Sequence, residues 1–420
     1  MIIFLRCVSC DKKFDFSKIR YRCDCGEVLE VERSDFLSLK GKISTKLFDT
    51  RWKSRQFPYQ SGVWRYKEFL FPIDGKYIIT RPEGNTNLYN VGKSISNKIG
   101  KFTNVDFLYL KHEGENPTGS FKDRGMTVGI SYAKLLGVKA VACASTGNTS
   151  SSLASYAALA EIPCFVFLPK GRVSSSKLAQ SIAYGATNIE IDGDFDEAMS
   201  IVEKICNQFH IYLLNSINPL RLEGQKTIVY ELLQQLNWKI PNWVVLPGGN
   251  LGNASSLGRG LKDLKEVGII DKFPRIAVIQ AHGANPFYRS YKGDFKYRHT
   301  MNADTLASAI KIGNPVSFLR AKKAILETNG VVEEVTDQEI LEAKKIIDTS
   351  GIGCEPASAT CVAGIKKLVK KTIIKKSDVV VGVLTGHILK DPENILPSKE
   401  KFLRNVQGTT LPHIVSKLLA

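Results

Sequence analysis

The stretch VDFLYLKHEGENPTGSFKDRG, residues 105–125, combines the features of a strand, a turn and the start of a helix. Its first seven residues are mostly β-branched, aromatic or aliphatic, which favours a buried strand. A proline and two glycines in the next segment, HEGENPTGS, predict a turn, and a helix is predicted from Ser120 to about Leu136. Lys122 lies in the first turn of that helix. It is either an ordinary surface charge or an amine presented to a ligand in a cleft.

The same alternation of apolar runs and helical segments continues along the chain. Further strands are predicted at KAVACAS (139–145), CFVFLP (164–169), NIEID (188–192), IYLLN (211–215), WVVLP (243–247), RIAVIQ (275–280) and VVVGVLT (379–385). Helices are predicted from near Asn148 and over 174–184, 195–208 and 219–236. Continuous apolar strands separated by helices predict an α/β fold with parallel sheets covered on both faces. Ligands of such sheets bind outside the carboxyl ends of the strands, so the strand-to-helix loops are the informative places.

The composition is that of a globular protein with room for two or three domains. Of 420 residues, 43% are hydrophobic and 24% are charged, which is ordinary for a soluble chain. No apolar run approaches the roughly 20 residues needed to span a bilayer. The N-terminal segment lacks the long apolar core and cleavage site of a signal peptide. We therefore expect a cytoplasmic protein with no membrane partner.

The formal net charge of +17 has two interpretations. A strongly basic chain can bind nucleic acid, or it can attract small anionic substrates. The basic residues are spread along the sequence, and the densest run, KKLVKKTIIKK (366–376), is typical of one polar helix face. Interleaved arginines and aromatics, as single-strand binders use, are not seen. We predict a small-molecule substrate and no nucleic-acid partner.

The loop LPGGNLGNASSLGRG (246–260) is glycine-rich and stands between a predicted strand and a helix. Its free backbone N–H groups and the positive end of the helix would hold a phosphate. The loop matches neither a Walker loop nor the GxGxxG dinucleotide fingerprint. Such a loop by itself is more often a tight turn. Its position between strand and helix favours the phosphate.

The loop ASTGNTSSS (144–152) places Ser145, Thr146, Asn148 and Thr149 around a helix start. A helix N-cap needs only one such residue. The surplus of amides and hydroxyls favours a loop that binds a carboxylate.

The segment LNSINPLRLEGQK (214–226) adds Asn215, Ser216 and Arg221 at the next loop. The arginine is either a surface ion-pair partner or a clamp for a phosphate through paired N–H bonds. Lys177 is a weaker candidate for the same anion, since its own surroundings in the sequence are those of a surface lysine.

The loop VLTGHILKDP (383–392) ends the last apolar strand with Thr385, and His387 follows without a visible catalytic partner. A lysine, a phosphate loop and a carboxylate loop, without a metal constellation among them, point to pyridoxal phosphate chemistry. The amine of Lys122 would form a Schiff base with the cofactor aldehyde, and the conjugated ring would act as electron sink.

Five of these segments together resemble the threonine synthase family of fold-type II, tryptophan-synthase-β-like pyridoxal phosphate enzymes: HEGENPTGSFKDRGM, ACASTGNTSSS, NSINPLRLEGQK, CEPASA and LTGHILKDP. The resemblance runs from about Arg81 to Pro392. It implies two parallel or mixed sheets flanked by helices, with the cofactor between a large and a small domain, and a homodimer. The expected division is a four-cysteine ribbon at 1–35, a large domain at 36–124 and 211–400, a small mobile domain at 125–210 and a helical tail at 401–420.

The resemblance also implies roles for individual residues. Around the cofactor, Lys122 would be the Schiff-base lysine, Asn148 would bond the ring hydroxyl, Thr385 would face the pyridine nitrogen, and Gly249, Asn250, Leu251, Gly252 and Asn253 would hold the phosphate. Around the substrate, Ser145, Thr146 and Thr149 would bind the carboxylate, while Lys177, Asn215, Ser216 and Arg221 would bind the phosphate. Ile388 departs from the glycine that many relatives carry, which would reshape the crevice but leave Thr385 in place.

The implied activity is that of a carbon–oxygen lyase acting on phosphates, in the last step of threonine biosynthesis. O-phospho-L-homoserine and water become L-threonine and phosphate through γ-elimination and β-addition of water. Two alternatives on the same scaffold are cysteate synthase, which uses phosphoserine and sulfite, and a threonine dehydratase-like lyase, which needs no phosphate clamp. A binding protein on an inactive scaffold is the non-enzyme alternative.

Four of the nine cysteines form the pairs CVSC (Cys7, Cys10) and CDC (Cys23, Cys25), twelve residues apart. Two such pairs can hold zinc tetrahedrally in a small ribbon. The alternative is a ribbon that folds without metal. The other five cysteines are scattered among apolar or helical residues, and we expect reduced thiols.

Overall fold

The structure, a computed structural model, describes residues 2–92, 97–145, 147–169, 175–192 and 195–392. Residues Met1–Lys390 belong to one compact unit. The helical tail expected at 401–420 lies outside the described residues. The division into a large domain and a small mobile domain stays a prediction.

A six-stranded sheet forms the larger part of the α/β core. In spatial order its strands are β12 (Val331–Val335), β11 (Arg275–Ala281), β10 (Trp243–Pro247), β13 (Val379–Leu384), β5 (Phe107–His112) and β4 (Leu88–Asn90). All neighbours are parallel except β4, which pairs antiparallel with β5. Every residue of β10 is buried, because helices cover both faces of the sheet.

A second sheet has four strands, all parallel. Its spatial order is β8 (Thr187–Ile191), β7 (Cys164–Pro169), β6 (Val141–Ala144) and β9 (Tyr212–Leu213). A third, antiparallel sheet near the N-terminus contains β2 (Lys13–Asp15), β1 (Ile3–Cys7) and β3 (Leu29–Arg33), in that order. The predicted α/β class with parallel and mixed sheets and an N-terminal ribbon is confirmed.

The helices among the described residues connect and cover these strands. They are α1 (Thr45–Trp52), α2 (Asn97–Thr103), α3 (Lys122–Leu136), α4 (Asn148–Ala160), α5 (Ser175–Ala183), α6 (Phe195–Gln208), α7 (Pro219–Gln225), α8 (Thr227–Gln235), α9 (Gly252–Glu266), α10 (Pro286–Lys292), α11 (Phe318–Glu327), α12 (Asp337–Asp348) and α13 (Pro356–Lys370). Within the described ranges, none of these helices has the length and apolar character that a membrane crossing requires.

Two predicted elements differ from the structure for local reasons. The strand predicted at 211–215 is only Tyr212–Leu213, because the side-chain oxygen of Asn215 accepts the N–H of Ala144 at 2.8 Å in place of a strand partner. The helix predicted over 219–236 is two helices that meet at Lys226. There the hydroxyl of Thr227 donates to the carbonyl oxygen of Gly224 at 2.7 Å, a local bond that competes with the helical pattern.

A buried ion-pair network fixes the start of α3. The guanidinium of Arg124 donates to Glu113 at 2.7 Å and to Glu231 at 2.8 Å, and Glu231 also accepts from Lys111 and Arg65. All five side chains are almost completely buried. Opposite charges satisfy one another in this low-dielectric core. The helix that begins at Lys122 therefore starts from a rigid base.

Candidate active site

The turn before α3 places Lys122 at the first position of the helix. The N–H of Gly119 donates to the carbonyl oxygen of Asn116 at 2.8 Å, and Gly119 has a φ of +87°, which a residue with a side chain adopts only with strain. Asp123 then ties the turn to the helix, since its carboxylate accepts the N–H of Thr118 at 2.7 Å and the hydroxyl of Ser152 at 2.5 Å. This local bonding explains why a lysine follows a crowded turn.

The amine of Lys122 lies in a setting that favours its neutral form. The pKa of its amine is lowered to about 7, mainly by desolvation and in part by the positive charge of Arg221. The charge of Glu355 acts in the opposite direction. The amine also lies over the ring of Phe121, 4.2 Å from its centroid. A lysine with a pKa near neutrality is a nucleophile at physiological pH. Lys122 is therefore chemically distinct from a surface lysine.

The turn that carries Lys122 is hydrogen-bonded to the loop that carries Thr385. The N–H of Phe121 donates to the carbonyl oxygen of Thr385 at 3.1 Å, and the N–H of His387 donates to that of Gly119 at 2.9 Å. Residues far apart in sequence are thus joined at the carboxyl ends of β5 and β13, as the parallel sheet requires. The imidazole of His387 accepts the N–H of Leu389 at 3.2 Å, so this histidine supports its own loop.

Glu355, to which the sequence analysis assigned no role, joins two of the predicted cofactor residues. Its carboxylate accepts the side-chain N–H of Asn148 at 2.9 Å and the hydroxyl of Thr385 at 3.2 Å. Glu355 is only 4% exposed, and its burial raises the pKa of its carboxyl group. Three elements, α4, α13 and the loop after β13, therefore converge on one buried carboxylate.

The glycine-rich loop after β10 has the features of a phosphate cradle. Leu251 has a φ of +64° and precedes α9, which begins at Gly252. Among the described residues, the backbone N–H groups of 249–253 donate no hydrogen bond to the protein. Unused donors at the positive end of a helix suit an anion.

Arg221 is the clearest sign of an anionic ligand. Its side chain is only 1% exposed, and among the described residues its guanidinium makes one hydrogen bond, to the carbonyl oxygen of Leu214 at 3.1 Å. Its Nε is buried without a partner, and no carboxylate among the described residues forms an ion pair with it. Desolvation lowers its pKa to about 10. A buried guanidinium without a counter-charge is costly, so this geometry favours a bound anion.

The other predicted substrate residues surround these groups to differing extents. Ser145 and Thr149 flank the start of α4, and Thr149 is buried. Ser216 accepts the side-chain N–H of Asn250 at 3.4 Å, which joins its loop to the phosphate cradle. The side-chain amide of Asn215 is paired with the backbone of Ala144.

Two predicted substrate residues cannot be placed in the site. Thr146 lies outside the described residues. Lys177 belongs to α5, but its side chain is not among those that the structure describes.

Lys390 is a second residue of the site that the sequence analysis did not single out. Its amine donates to Gln180 of α5 at 2.6 Å, to Ser151 of α4 at 3.1 Å and to the carbonyl oxygen of Thr118 at 3.2 Å. It therefore links the loop after β13 to two helices of the four-stranded sheet. The sequence LKDP contains this lysine but gives no indication of its partners, which lie far away in the chain.

The residues described above fit pyridoxal phosphate. An amine with a pKa near 7, unused N–H groups at the start of α9 and the hydroxyl of Thr385 lie in loops at the carboxyl ends of the parallel strands. These groups match, in kind, the aldehyde, the phosphate and the ring nitrogen of that cofactor.

The four N-terminal cysteines also converge. The Sγ atoms of Cys7, Cys10, Cys23 and Cys25 all lie within 4.8 Å of one another. The Cys7–Cys25 and Cys10–Cys23 pairs are each 3.5 Å apart. This spacing fits four thiolates around one ion at about 2.3 Å each.

Comparisons with known proteins agree with this chemistry. A family model described as pyridoxal-phosphate dependent enzyme matches residues 79–386. The chain is 45% identical over 401 residues to a threonine synthase of Methanocaldococcus jannaschii, covering 94% of this chain and 95% of that protein. It is 40% identical over 410 residues to the chloroplastic threonine synthase 2 of Arabidopsis thaliana, covering 95% of this chain and 78% of that protein.

Solved structures show the same fold. The threonine synthase of Escherichia coli matches with a TM-score of 0.71 at 16% identity, covering 96% of this chain and 93% of that one. A maize serine racemase matches with a TM-score of 0.65 at 21% identity, covering 76% of this chain and 92% of that one. At these identities the two structures carry information about the fold alone.

Proposed function

Because the chain belongs to the pyridoxal-phosphate dependent enzymes and, within them, to the threonine synthases, we propose that it converts O-phospho-L-homoserine and water to L-threonine and phosphate. The observation that carries the choice of substrate is the buried guanidinium of Arg221, which has no counter-charge among the described residues and lies close enough to Lys122 to lower its pKa. A phosphorylated amino acid brings a dianion to that point. A threonine dehydratase needs no such clamp.

The cofactor would be held by residues from four loops: Lys122, Asn148, Thr385 and the cradle of Gly249, Asn250, Leu251, Gly252 and Asn253. When bound, pyridoxal phosphate supplies an aldehyde that combines with the lysine amine and a conjugated ring that withdraws electrons from the substrate carbons. The protein supplies position and electrostatics. The free N–H groups of the cradle and the positive N-terminal end of α9 would stabilise the phosphate of the cofactor.

Lys122 would act as the base and acid of the reaction. Its pKa of about 7 leaves a large share of the amine neutral at physiological pH, so it can take the α-proton of the substrate and return a proton in a later step. The hydrogen bonds that fix its turn to the loop of Thr385 hold this amine at one place in the crevice. Orientation of this kind lowers the entropic part of the barrier.

The two ends of the substrate would be recognised by different loops. Ser145, Thr146 and Thr149 at the start of α4 offer hydroxyl and backbone donors for the carboxylate. Lys177, Asn215, Ser216 and Arg221 form the proposed phosphate site. The bond between Ser216 and Asn250 supports a phosphate site that adjoins the cofactor cradle. Closure of a small domain at 125–210 would exclude water until the elimination is complete.

We extend the proposal to the setting of the enzyme: a homodimer in the cytoplasm that uses a small anionic substrate and no nucleic-acid or membrane partner. The basic residues that produce the charge of +17 are spread along the sequence, which supports general attraction of anions rather than one nucleic-acid surface.

The decisive experiment measures phosphate release and threonine formation from O-phospho-L-homoserine by the purified protein. Phosphoserine with sulfite is offered in a parallel reaction. We expect turnover of the first substrate and not of the second pair. Turnover of phosphoserine and sulfite alone would instead support a cysteate synthase, and salt-dependent nucleic-acid binding without turnover would support the non-enzyme alternative.

We also propose that Cys7, Cys10, Cys23 and Cys25 bind one structural zinc ion. The convergence of their four Sγ atoms supports this. We expect the purified protein to contain about one zinc ion per chain and Cys23→Ser to contain much less, because a structural site needs four ligands. Elemental analysis measures the content. Since the cluster contributes no ligand to the Lys122 site, the variant should still take up pyridoxal phosphate. Equal zinc contents in the two proteins would contradict the proposal.

A further inference from the structure

Glu355 is a buried carboxylate that the proposed mechanism does not use. We propose that it is a positioning residue that sets the direction of the hydrogen bonds at Thr385 and Asn148, and thereby decides which protonation state of the cofactor ring the site accepts. The inference rests on the proposed function, because it assigns Thr385 to the ring nitrogen and Asn148 to the ring hydroxyl.

Local structure holds the carboxylate of Glu355 in one place. Glu355 precedes α13, which begins at Pro356, and its backbone N–H donates to the carbonyl oxygen of Gly386 at 3.1 Å. A Cβ atom on Gly386 would lie only 2.4 Å from the carboxylate carbon, so only glycine lets the two approach. The carboxylate therefore cannot turn away without disturbing the loop of Thr385.

The hydroxyl of Ser358 is the other hydrogen-bond partner of Thr385. Its oxygen accepts the backbone N–H groups of Thr385 at 2.8 Å and of Gly386 at 2.9 Å. It lies 3.0 Å from the Thr385 hydroxyl oxygen, to which its own proton can donate. An ionised Glu355 only accepts, so the Thr385 proton goes to Glu355 at 3.2 Å.

With these bonds made, the hydroxyl oxygen of Thr385 keeps a single lone pair for the ligand. An acceptor at this point favours a ring nitrogen that carries a proton. When Glu355 is itself protonated, it can donate to Thr385, whose own proton then becomes available to an unprotonated ring nitrogen. The Thr385 hydroxyl, which would contact the cofactor, is thus coupled to the carboxylate of Glu355 behind it.

The charges that face Glu355 come from two elements. Lys122 at the start of α3 and Lys390 in the loop after β13 favour its ionised form, whereas burial raises the pKa of its carboxyl group. The neighbouring thiol of Cys354 is buried, and burial raises its pKa well above the usual range, so it stays neutral. The net direction is upward from an ordinary glutamate. Glu355 therefore gains its proton at a higher pH than a surface carboxylate does.

The test compares wild type with Glu355→Gln, loaded with pyridoxal phosphate and without substrate. The near-ultraviolet and visible absorbance of the bound cofactor is recorded against pH. An amide offers one acceptor oxygen where the carboxylate offers two, so Asn148 and Thr385 cannot both keep their bonds. We expect a pH transition in wild type that the variant lacks, and a variant spectrum close to that of wild type at acid pH. Affinity for pyridoxal phosphate should fall about 10- to 100-fold, as for one lost bond to a charged group.

Two further variants make the result specific. Glu342→Gln removes an exposed carboxylate that pairs with Lys366, and it should keep the wild-type transition. Thr385→Val removes the relaying hydroxyl, so it should lose the transition as well, and adding Glu355→Gln should change its spectrum no further. Thr385→Val also tests the inference if Glu355→Gln does not fold.

The inference is overturned if Glu355→Gln or Thr385→Val keeps the wild-type transition. Because no substrate is present, this outcome is separate from a failure of threonine formation, which would concern the proposed function alone.

Discussion

Lys122→Ala is expected to lower phosphate release from O-phospho-L-homoserine by about 10⁴-fold or more. The variant loses both the amine that would combine with the cofactor aldehyde and the group that would move protons on the substrate, and general acid–base catalysis alone contributes about 10²- to 10⁴-fold. Turnover is followed by phosphate release, and covalent attachment of the cofactor by borohydride reduction and mass spectrometry. We expect no attachment in the variant.

Lys134→Ala is the matched control, because Lys134 lies in the last turn of the same helix. It should keep wild-type turnover and attachment. Activity of Lys122→Ala within tenfold of wild type, or cofactor attached at another lysine, would show that the amine at the start of α3 is not the catalytic one.

The sequence patterns located these groups because a parallel sheet brings the carboxyl ends of its strands together. Once β5, β10 and β13 were recognised as continuous apolar runs, the loops with Lys122, Gly249 and Thr385 had to meet at one edge. In the structure β10, β13 and β5 are neighbours in one sheet, which produces this meeting. The sequence predicted the exact ends of helices less well, since local hydrogen bonds such as that of Thr227 determine where a helix ends.

Glu355 and Lys390 show what such patterns miss. The carboxylate of Glu355 meets Asn148 across 207 residues of sequence, and no periodicity predicts a contact of that range. The available signal was a charged residue just before Pro356 at a helix start, in the segment CEPASA. Strand β12 was missed for a different reason: VVEEV contains two glutamates and does not form a continuous apolar run.

Arg221→Met is expected to separate stability from activity. Its guanidinium has no ion-pair partner among the described residues, so the free energy of unfolding of the cofactor-free protein should stay unchanged or increase when the buried charge is removed. By contrast, kcat/KM for O-phospho-L-homoserine should fall about 10²- to 10³-fold, since loss of one partner of a buried charge pair costs roughly 2–5 kcal/mol. The pKa of Lys122 should rise, because the charge of Arg221 lowers it. Cofactor uptake at neutral pH should then be slower and recover at higher pH.

Arg320→Met is the control for the activity half of this prediction. Arg320 is also buried with an Nε that lacks a partner, and desolvation lowers its pKa to about 10 as well. It lies on α11 and donates to the carbonyl oxygen of Leu29 in the ribbon, and it is not among the groups that shift the pKa of Lys122. Its replacement should leave kcat/KM and the pH dependence of cofactor uptake at wild-type values. Equal losses of kcat/KM in the two variants would mean that Arg221 acts through the general packing of the protein, whereas a loss confined to Arg221→Met assigns the substrate phosphate to its guanidinium.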